Sequence, residues 1–302
     1  MVTHPEPYVR MPAAAHKTTL ILLHGTSQTG PRFAEAFLST LFPPPVECLA
    51  NSISSVFQGK LSFPDCFPNC KFVFPTGAPR RTTVFGGRET NAWFDITDFG
   101  DRTKGEIEMV DGMNESSLYL TNLIREEIEV LDGRGENFDA RNRNVIIAGF
   151  SQGSAMGLML LLGGELQRQG LSRRVGAFVG LSGWLPFRRQ IEEIISRECV
   201  RFSDGGDVGA ARNATTAYLR QLLRLRSADD KWNLHFGSHR IPSFFGHGEL
   251  DVKVKFEWAL QLRDILEQLE MDINFRSYKG LEHWWDEQEM TDVAEFLQKK
   301  VA

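Results

Sequence analysis

A chain of 302 residues that is 42% hydrophobic and 24% charged has the balance of a folded globular protein, which excludes a disordered or fibrous polypeptide. Its 34 basic against 39 acidic residues give a formal net charge of −5, without the basic excess that phosphate-backbone binding requires, so no nucleic-acid partner is expected. The length admits two ordinary domains or one larger α/β unit, and the spacing of the motifs decides for one.

Residues 1–17, with Pro5, Pro7 and Pro12, read as a poorly structured N-terminal tail that carries His4 and His16 and lacks the apolar core of a secretory leader. The most apolar stretch, Ala155–Leu162, is far shorter than the roughly 18 to 20 residues of a membrane span. A cytoplasmic chain with no integral membrane contact is therefore expected. There Cys48, Cys66, Cys70 and Cys199 are reduced thiols, and Cys66 and Cys70 lack the spacing and histidine partners of a zinc site, so no metal is expected.

From residue 18 onward, short β-branched or aromatic runs alternate with longer helical patterns. In chain order the pattern predicts strand Thr19–Leu23, helix Arg32–Leu41, strand Lys71–Phe74, helix Glu115–Leu131, strand Asn144–Gly149 and helix Ser154–Gln169. Strand Val175–Leu181, helix Asn213–Arg226, strand Ile241–Phe245, helix Lys255–Leu269, strand Ile273–Tyr278 and helix Glu289–Lys300 complete it. Such alternation implies a mostly parallel central sheet with helices on both faces. Residues 18–302 are read as a single α/β domain with insertions at about 43–70, 76–114 and 188–240, because those connections are longer than usual.

The predicted strand 144–149 runs directly into Gly149-Phe150-Ser151-Gln152-Gly153 and then into a helix. A strand, sharp turn and helix is the context in which Gly-x-Ser-x-Gly carries a nucleophile: the turn projects the hydroxyl, and the helix N-terminus favours an oxyanion. A small residue at a neutral turn would not need glycines at both 149 and 153. Ser151 is the candidate nucleophile. Gln152 is expected to supply an oxyanion donor through its backbone N–H, with its side chain of lesser consequence.

A serine of this kind is followed along the chain by an acid and then a histidine, each on a loop after a later strand. Gly246-His247-Gly248-Glu249-Leu250-Asp251 and Lys279-Gly280-Leu281-Glu282-His283 follow the last two predicted strands. Asp251 and His283 are the resulting acid and base, with Glu249 the rival acid. His247 and His24 are expected to pack loops and satisfy backbone groups, while His235 and His239 fall in the third insertion. The first strand ends in His24-Gly25-Thr26, and the N–H of Thr26 is the candidate for the first oxyanion donor.

The chain resembles the acyl-protein thioesterase, lysophospholipase and carboxylesterase group of α/β-hydrolases. The resemblance lies in Leu22-Leu23-His24-Gly25 with Thr29-Gly30, Ala78-Pro79, Trp93-Phe94-Asp95-Ile96, Gly149-Phe150-Ser151-Gln152-Gly153, Leu181-Ser182 with Trp184-Leu185-Pro186, His247-Gly248 with Asp251, and His283. It implies an α/β-hydrolase fold and a cofactor-free serine hydrolase of esters or thioesters, with Ser151, Asp251 and His283 as triad and Thr26 and Gln152 at the oxyanion hole. A specialised small-molecule esterase or lactonase is the alternative, and a non-catalytic ligand-binding protein on the same scaffold is a third reading. Thr26-Ser27-Gln28 and Trp284-Trp285 depart from the group's pattern. Trp93, Trp184 and Trp284 are candidates for the substrate pocket, Phe94 for pocket or core, and Arg80, Arg81 and Arg88 for meeting an anionic group or lying solvated. Partners are an acyl ester or thioester substrate and, through an exposed aromatic patch, a second copy of the chain.

Overall fold

Leu20, Ile21, Leu22 and Leu23 are all buried, which is what a parallel strand covered on both faces requires. The computed structural model describes residues 3–46, 48, 59–133, 143–201, 208–225 and 240–301. Its strands are β1 (Tyr8–Arg10), β2 (Thr18–Leu23), β3 (Cys70–Phe74), β4 (Pro79–Thr82), β5 (Arg88–Asn91), β6 (Val145–Phe150), β7 (Val175–Leu181), β8 (Ser243–Gly248) and β9 (Ile273–Tyr278). Among the described residues a seven-stranded sheet runs in the order β1-β3-β2-β6-β7-β8-β9. Every pairing in it is parallel except β1 with β3. β4 and β5 form a separate antiparallel hairpin.

The helices are α1 (Gly30–Ser39), α2 (Phe63–Cys66), α3 (Glu106–Gly133), α4 (Gln152–Leu162), α5 (Glu165–Arg168), α6 (Arg188–Arg201), α7 (Val208–Leu222), α8 (Phe256–Gln268) and α9 (Glu287–Val301). Alternation along β2 feeds two cores. Ile21 and Leu23 join the core containing α3, α4 and α8, whereas Leu20 and Leu22 join Phe33 and Phe37 of α1 and Met290, Val293 and Leu297 of α9. Every residue of α4 is buried, so this helix is apolar all round rather than amphipathic. The arrangement is the α/β-hydrolase fold. Among the described residues no helix is long and apolar enough to cross a membrane.

Several elements differ from the sequence reading. The tail contributes strand β1, whose three residues are all exposed and so carry no burial alternation to read. His4 and His16 are tied down there: His4 Nδ1 is 3.1 Å from Thr76 O with its ring stacked on Tyr119, and His16 Nε2 is 2.9 Å from Thr19 Oγ1. The second insertion is in part the β4/β5 hairpin and in part an earlier start to α3, and the third holds α6 and α7. The strand expected at Ile241–Phe245 begins at Ser243, after Pro242. His235, His239, part of the first and third insertions, and the side chain of Cys199 lie outside the described residues.

α9 carries an unusual buried carboxyl. Glu289 has no solvent exposure, neither of its side-chain oxygens has a hydrogen-bond partner, and a Cβ on Gly246 of β8 would lie 2.1 Å from its Oε1. Burial, reinforced by the charges of Asp286 and Asp292, pushes its pKa well above the ordinary carboxylate value. Above about pH 4.3 the unfolded chain releases this proton while the folded chain keeps it, so the group lowers stability as pH rises through that window. Relative to the parent, Glu289→Gln is expected to gain stability with increasing pH, by up to about 1.4 kcal/mol per unit. Denaturant titrations between pH 4.5 and 8 would show it; parallel curves for the two proteins would contradict it.

Candidate active site

The site is built around the turn between β6 and α4. Ser151 adopts φ 54° and ψ −117°, a backbone conformation that costs a non-glycine residue of order 1–3 kcal/mol. Its neighbours make the turn close. A Cβ on Gly149 would sit 2.3 Å from the Gly153 carbonyl, and one on Gly153 would sit 2.1 Å from Leu23 O. A side chain at 149 would push α4 off β6, and one at 153 would push it off β2. The Ser151 N–H donates to Leu181 O over 2.8 Å, anchoring the turn to β7.

β8 and β9 deliver the other two groups. His283 Nε2 lies 3.0 Å from Ser151 Oγ, and its Nδ1 lies 2.7 Å from Asp251 Oδ2. Asp251 is buried, and its Oδ1 accepts the backbone N–H groups of Lys253 and Val254, each at 2.9 Å. Burial opposes ionisation of Asp251, but hydrogen bonds from His247 and His283 outweigh it and hold the carboxyl well below the usual carboxylate range. With Asp251 ionised, its Oδ2 accepts a hydrogen bond from the Nδ1–H of His283, which leaves Nε2 as the acceptor facing the Ser151 hydroxyl. The rival acid is elsewhere: Glu249 Oε1 accepts from Ser277 Oγ at 2.9 Å.

His247 packs its loop as expected, with Nε2 2.8 Å from Val254 O, and it also reaches Asp251 Oδ2 at 3.3 Å. Sequence reasoning missed that second contact. His24 is fully buried, donates from Nδ1 to Gly25 O at 2.7 Å and accepts the Gly77 N–H at Nε2 at 2.9 Å. Both roles need the neutral ring, and burial pulls its pKa down to about 4 against the opposing pull of the Gly25 carbonyl. The Gly25 loop lies over Ser151, since a Cβ on Gly25 would be 3.5 Å from Ser151 Cβ. Gln28 braces that loop, its Oε1 accepting the Gly25 N–H at 3.1 Å, and the Ser27 N–H donates to Asn91 O at 3.0 Å. Thr26 therefore sits in a loop pinned on both sides.

The Gln152 side chain corrects the expectation that it is of little consequence. It is fully buried, its Oε1 accepts the Trp93 N–H at 3.1 Å, and its Nε2 donates to Phe94 O at 2.7 Å. Trp93 and Trp184, read as pocket residues, are enclosed in the core at 0% and 2% exposure, as is Phe94 at 0%. Trp93 Nε1 donates to His24 O at 2.8 Å, so this ring secures the first loop from behind. Trp284 is 37% exposed beside His283, stacked on Trp285 at 4.0 Å with its edge toward Phe150. Trp285 is buried and donates to Thr40 Oγ1. Arg80 is engaged with Ala92 O and Glu115, whereas Arg81 and Arg88 lie exposed on the hairpin.

Fold and site together define an α/β-hydrolase with a serine, histidine and aspartate converging at the carboxyl ends of the strands. The chain belongs to the phospholipase/carboxylesterase family, which it matches over residues 51–201 and 226–301. It is 26% identical to acyl-protein thioesterase 1 of Debaryomyces hansenii over 298 residues, covering 96% of this chain and 95% of that protein. It is 24% identical to acyl-protein thioesterase 1 of Yarrowia lipolytica, covering 98% of each. Among solved structures, Zea mays acyl-protein thioesterase 2 superposes with a TM-score of 0.62 at 20% identity over 98% of this chain and 99% of that one.

Gln152→Ala leaves a buried N–H and a buried carbonyl of the 93–94 segment without partners, so it is expected to cost about 2 to 4 kcal/mol. Equilibrium unfolding in urea measures this, and a loss below about 0.5 kcal/mol, the range of neutral surface changes, would contradict the clamp.

Proposed function

We propose that this chain hydrolyses carboxylic esters or thioesters through a covalent acyl-enzyme. The reading is carried by the unbroken hydrogen-bonded line from Ser151 Oγ through His283 to Asp251. Ser151 attacks the acyl carbonyl while His283 Nε2 takes its proton. The N–H groups of Thr26 and Gln152 receive the oxyanion, at the loop that covers Ser151 and at the first turn of α4, whose free N–H groups face the developing charge. His283 then protonates the leaving alcohol or thiol; a water deprotonated by the same nitrogen attacks the acyl-enzyme, and His283 returns that proton to Ser151 Oγ as the acid leaves. Asp251 stays ionised throughout, fixes the ring tautomer and stabilises the imidazolium. No cofactor enters these steps.

The relatives named acyl-protein thioesterases favour an acyl thioester as substrate. The partly exposed Trp284 beside the base favours a second reading, a small-molecule ester or lactone whose compact apolar group packs on that ring. A series of p-nitrophenyl esters and matched thioesters of increasing chain length separates the two. Activity rising with chain length and with the thioester supports the first; a maximum at short oxygen esters supports the second.

Ser151→Ala or His283→Ala is expected to lower kcat on the order of 10⁵- to 10⁶-fold, because the three groups act as a unit. Asp251→Asn is expected to cost on the order of 10⁴-fold, while Glu249→Gln leaves turnover near the parental value. Near-parental hydrolysis by a folded Ser151→Ala variant would overturn the scheme, and loss of activity on Glu249→Gln with retention on Asp251→Asn would reassign the acid.

A further inference from the structure

Arg102 lies in the loop before α3, far along the chain from each of the three reacting groups, and is only 7% exposed. Its guanidinium carbon stands 4.6 Å from the centroid of Trp184, 5.0 Å from Phe99 and 5.7 Å from Trp258, so three aromatic faces surround the cation. One fork nitrogen donates to Lys253 O at 3.1 Å and the other to Asp98 O at 3.3 Å. Lys253 is the residue whose own N–H donates to Asp251 Oδ1. A second tie joins the same two segments, with Lys255 Nζ 3.3 Å from Gly100 O and over the Trp258 ring.

Buried charge is expensive unless something nearby compensates it. Here burial lowers the pKa of the guanidinium to about 10, opposed by the negative charges of Asp251 and Asp98, so the group remains cationic at neutral pH. A planar, delocalised cation suits this slot: it stacks between rings while keeping its N–H fork aimed at carbonyls, which an ammonium cannot do. The 251–254 turn carries on its outer side the exposed Val252 and Lys253, and from within it is held by Arg102, by His247 on Val254 O, and by its own N–H bonds to Asp251.

We propose that Arg102 is a positioning residue for the Asp251–His283 pair: by holding the Lys253 carbonyl it fixes the turn whose amide groups orient the Asp251 carboxylate, and so sets how well His283 faces Ser151. The inference rests on the reading of Ser151, His283 and Asp251 as the reacting triad. Arg102 touches no reacting atom and acts through Asp251 alone. Displacement of the carboxylate by a fraction of an ångström to one ångström is enough to cost one to two orders of magnitude in rate.

The test is a double-mutant cycle on turnover of a short p-nitrophenyl ester, with folding of each variant checked by circular dichroism and thermal unfolding. Arg102→Met is expected to lower kcat about 10- to 100-fold with KM nearly unchanged, and Arg102→Lys, which keeps the charge and one donor, to recover part of the loss. In an Asp251→Asn background the same substitution is expected to have less than about a twofold further effect, because the group through which it acts is already disabled. The downfield proton resonance of the His283 Nδ1–H bond to Asp251 should shift or broaden in the Arg102 variants and stay in place in Ser151→Ala. An undiminished loss in the Asp251→Asn background, a change confined to KM, or an unaltered resonance alongside reduced kcat would each overturn the proposal. Should Arg102→Met fail to fold, Arg102→Lys carries the same cycle and the same resonance, and full parental kcat in that variant with an unmoved resonance would also overturn it. If Asp251→Asn itself leaves turnover intact, the triad reading fails instead, a result distinguishable from failure of the Arg102 inference.

Discussion

The contact between Gly153 at the start of α4 and the Leu23 carbonyl of β2 is the constraint on which the rest of the site depends. With no side chain between them, helix and strand approach closely enough to force the chain through a left-handed turn at Ser151. The strain is sustained because everything around it is fixed: α4 is buried along its whole length, β6 is hydrogen-bonded on both sides, and the Ser151 N–H is held by β7. The same approach lays the Gly25 loop over Ser151. One backbone contact thus sets the position of the hydroxyl and of the loop that faces it.

Around that contact lies a set of buried polar groups whose hydrogen bonds hold loops in place. The Gln152 amide grips the backbone at Trp93 and Phe94, the Trp93 indole grips His24 O, and the neutral His24 ring grips Gly25 and Gly77. On the opposite side Asp251 collects two amides and two histidines. Buried polar atoms left without partners cost more than a made bond contributes, so such clamps act by penalising every other loop arrangement.

Much of this was legible in the amino-acid sequence because it depends on local rules. The apolar strands, the glycines flanking Ser151, and an acid and a histidine after the last two strands all follow from periodicity and turn chemistry, and those side chains are the ones the fold brings within hydrogen-bond reach. The clamps were not legible, because a glutamine or tryptophan that bonds a distant backbone carries no periodic or spacing signal. Gln152 looked replaceable and Trp93 and Trp184 looked like pocket walls for that reason. β1 escaped notice because three exposed residues pairing across 62 to 66 positions leave no alternation, and Arg102 because its partners come from three separate segments.

The central claim is that Ser151 is activated by the group opposite it. The most direct measurement is reaction of the folded protein with a fluorophosphonate, followed by mass spectrometry of the modified peptide. The account predicts a single phosphonyl adduct on Ser151, abolished when His283 is replaced by alanine. A folded protein that forms no adduct at Ser151, or one that labels equally well without the histidine, would contradict it.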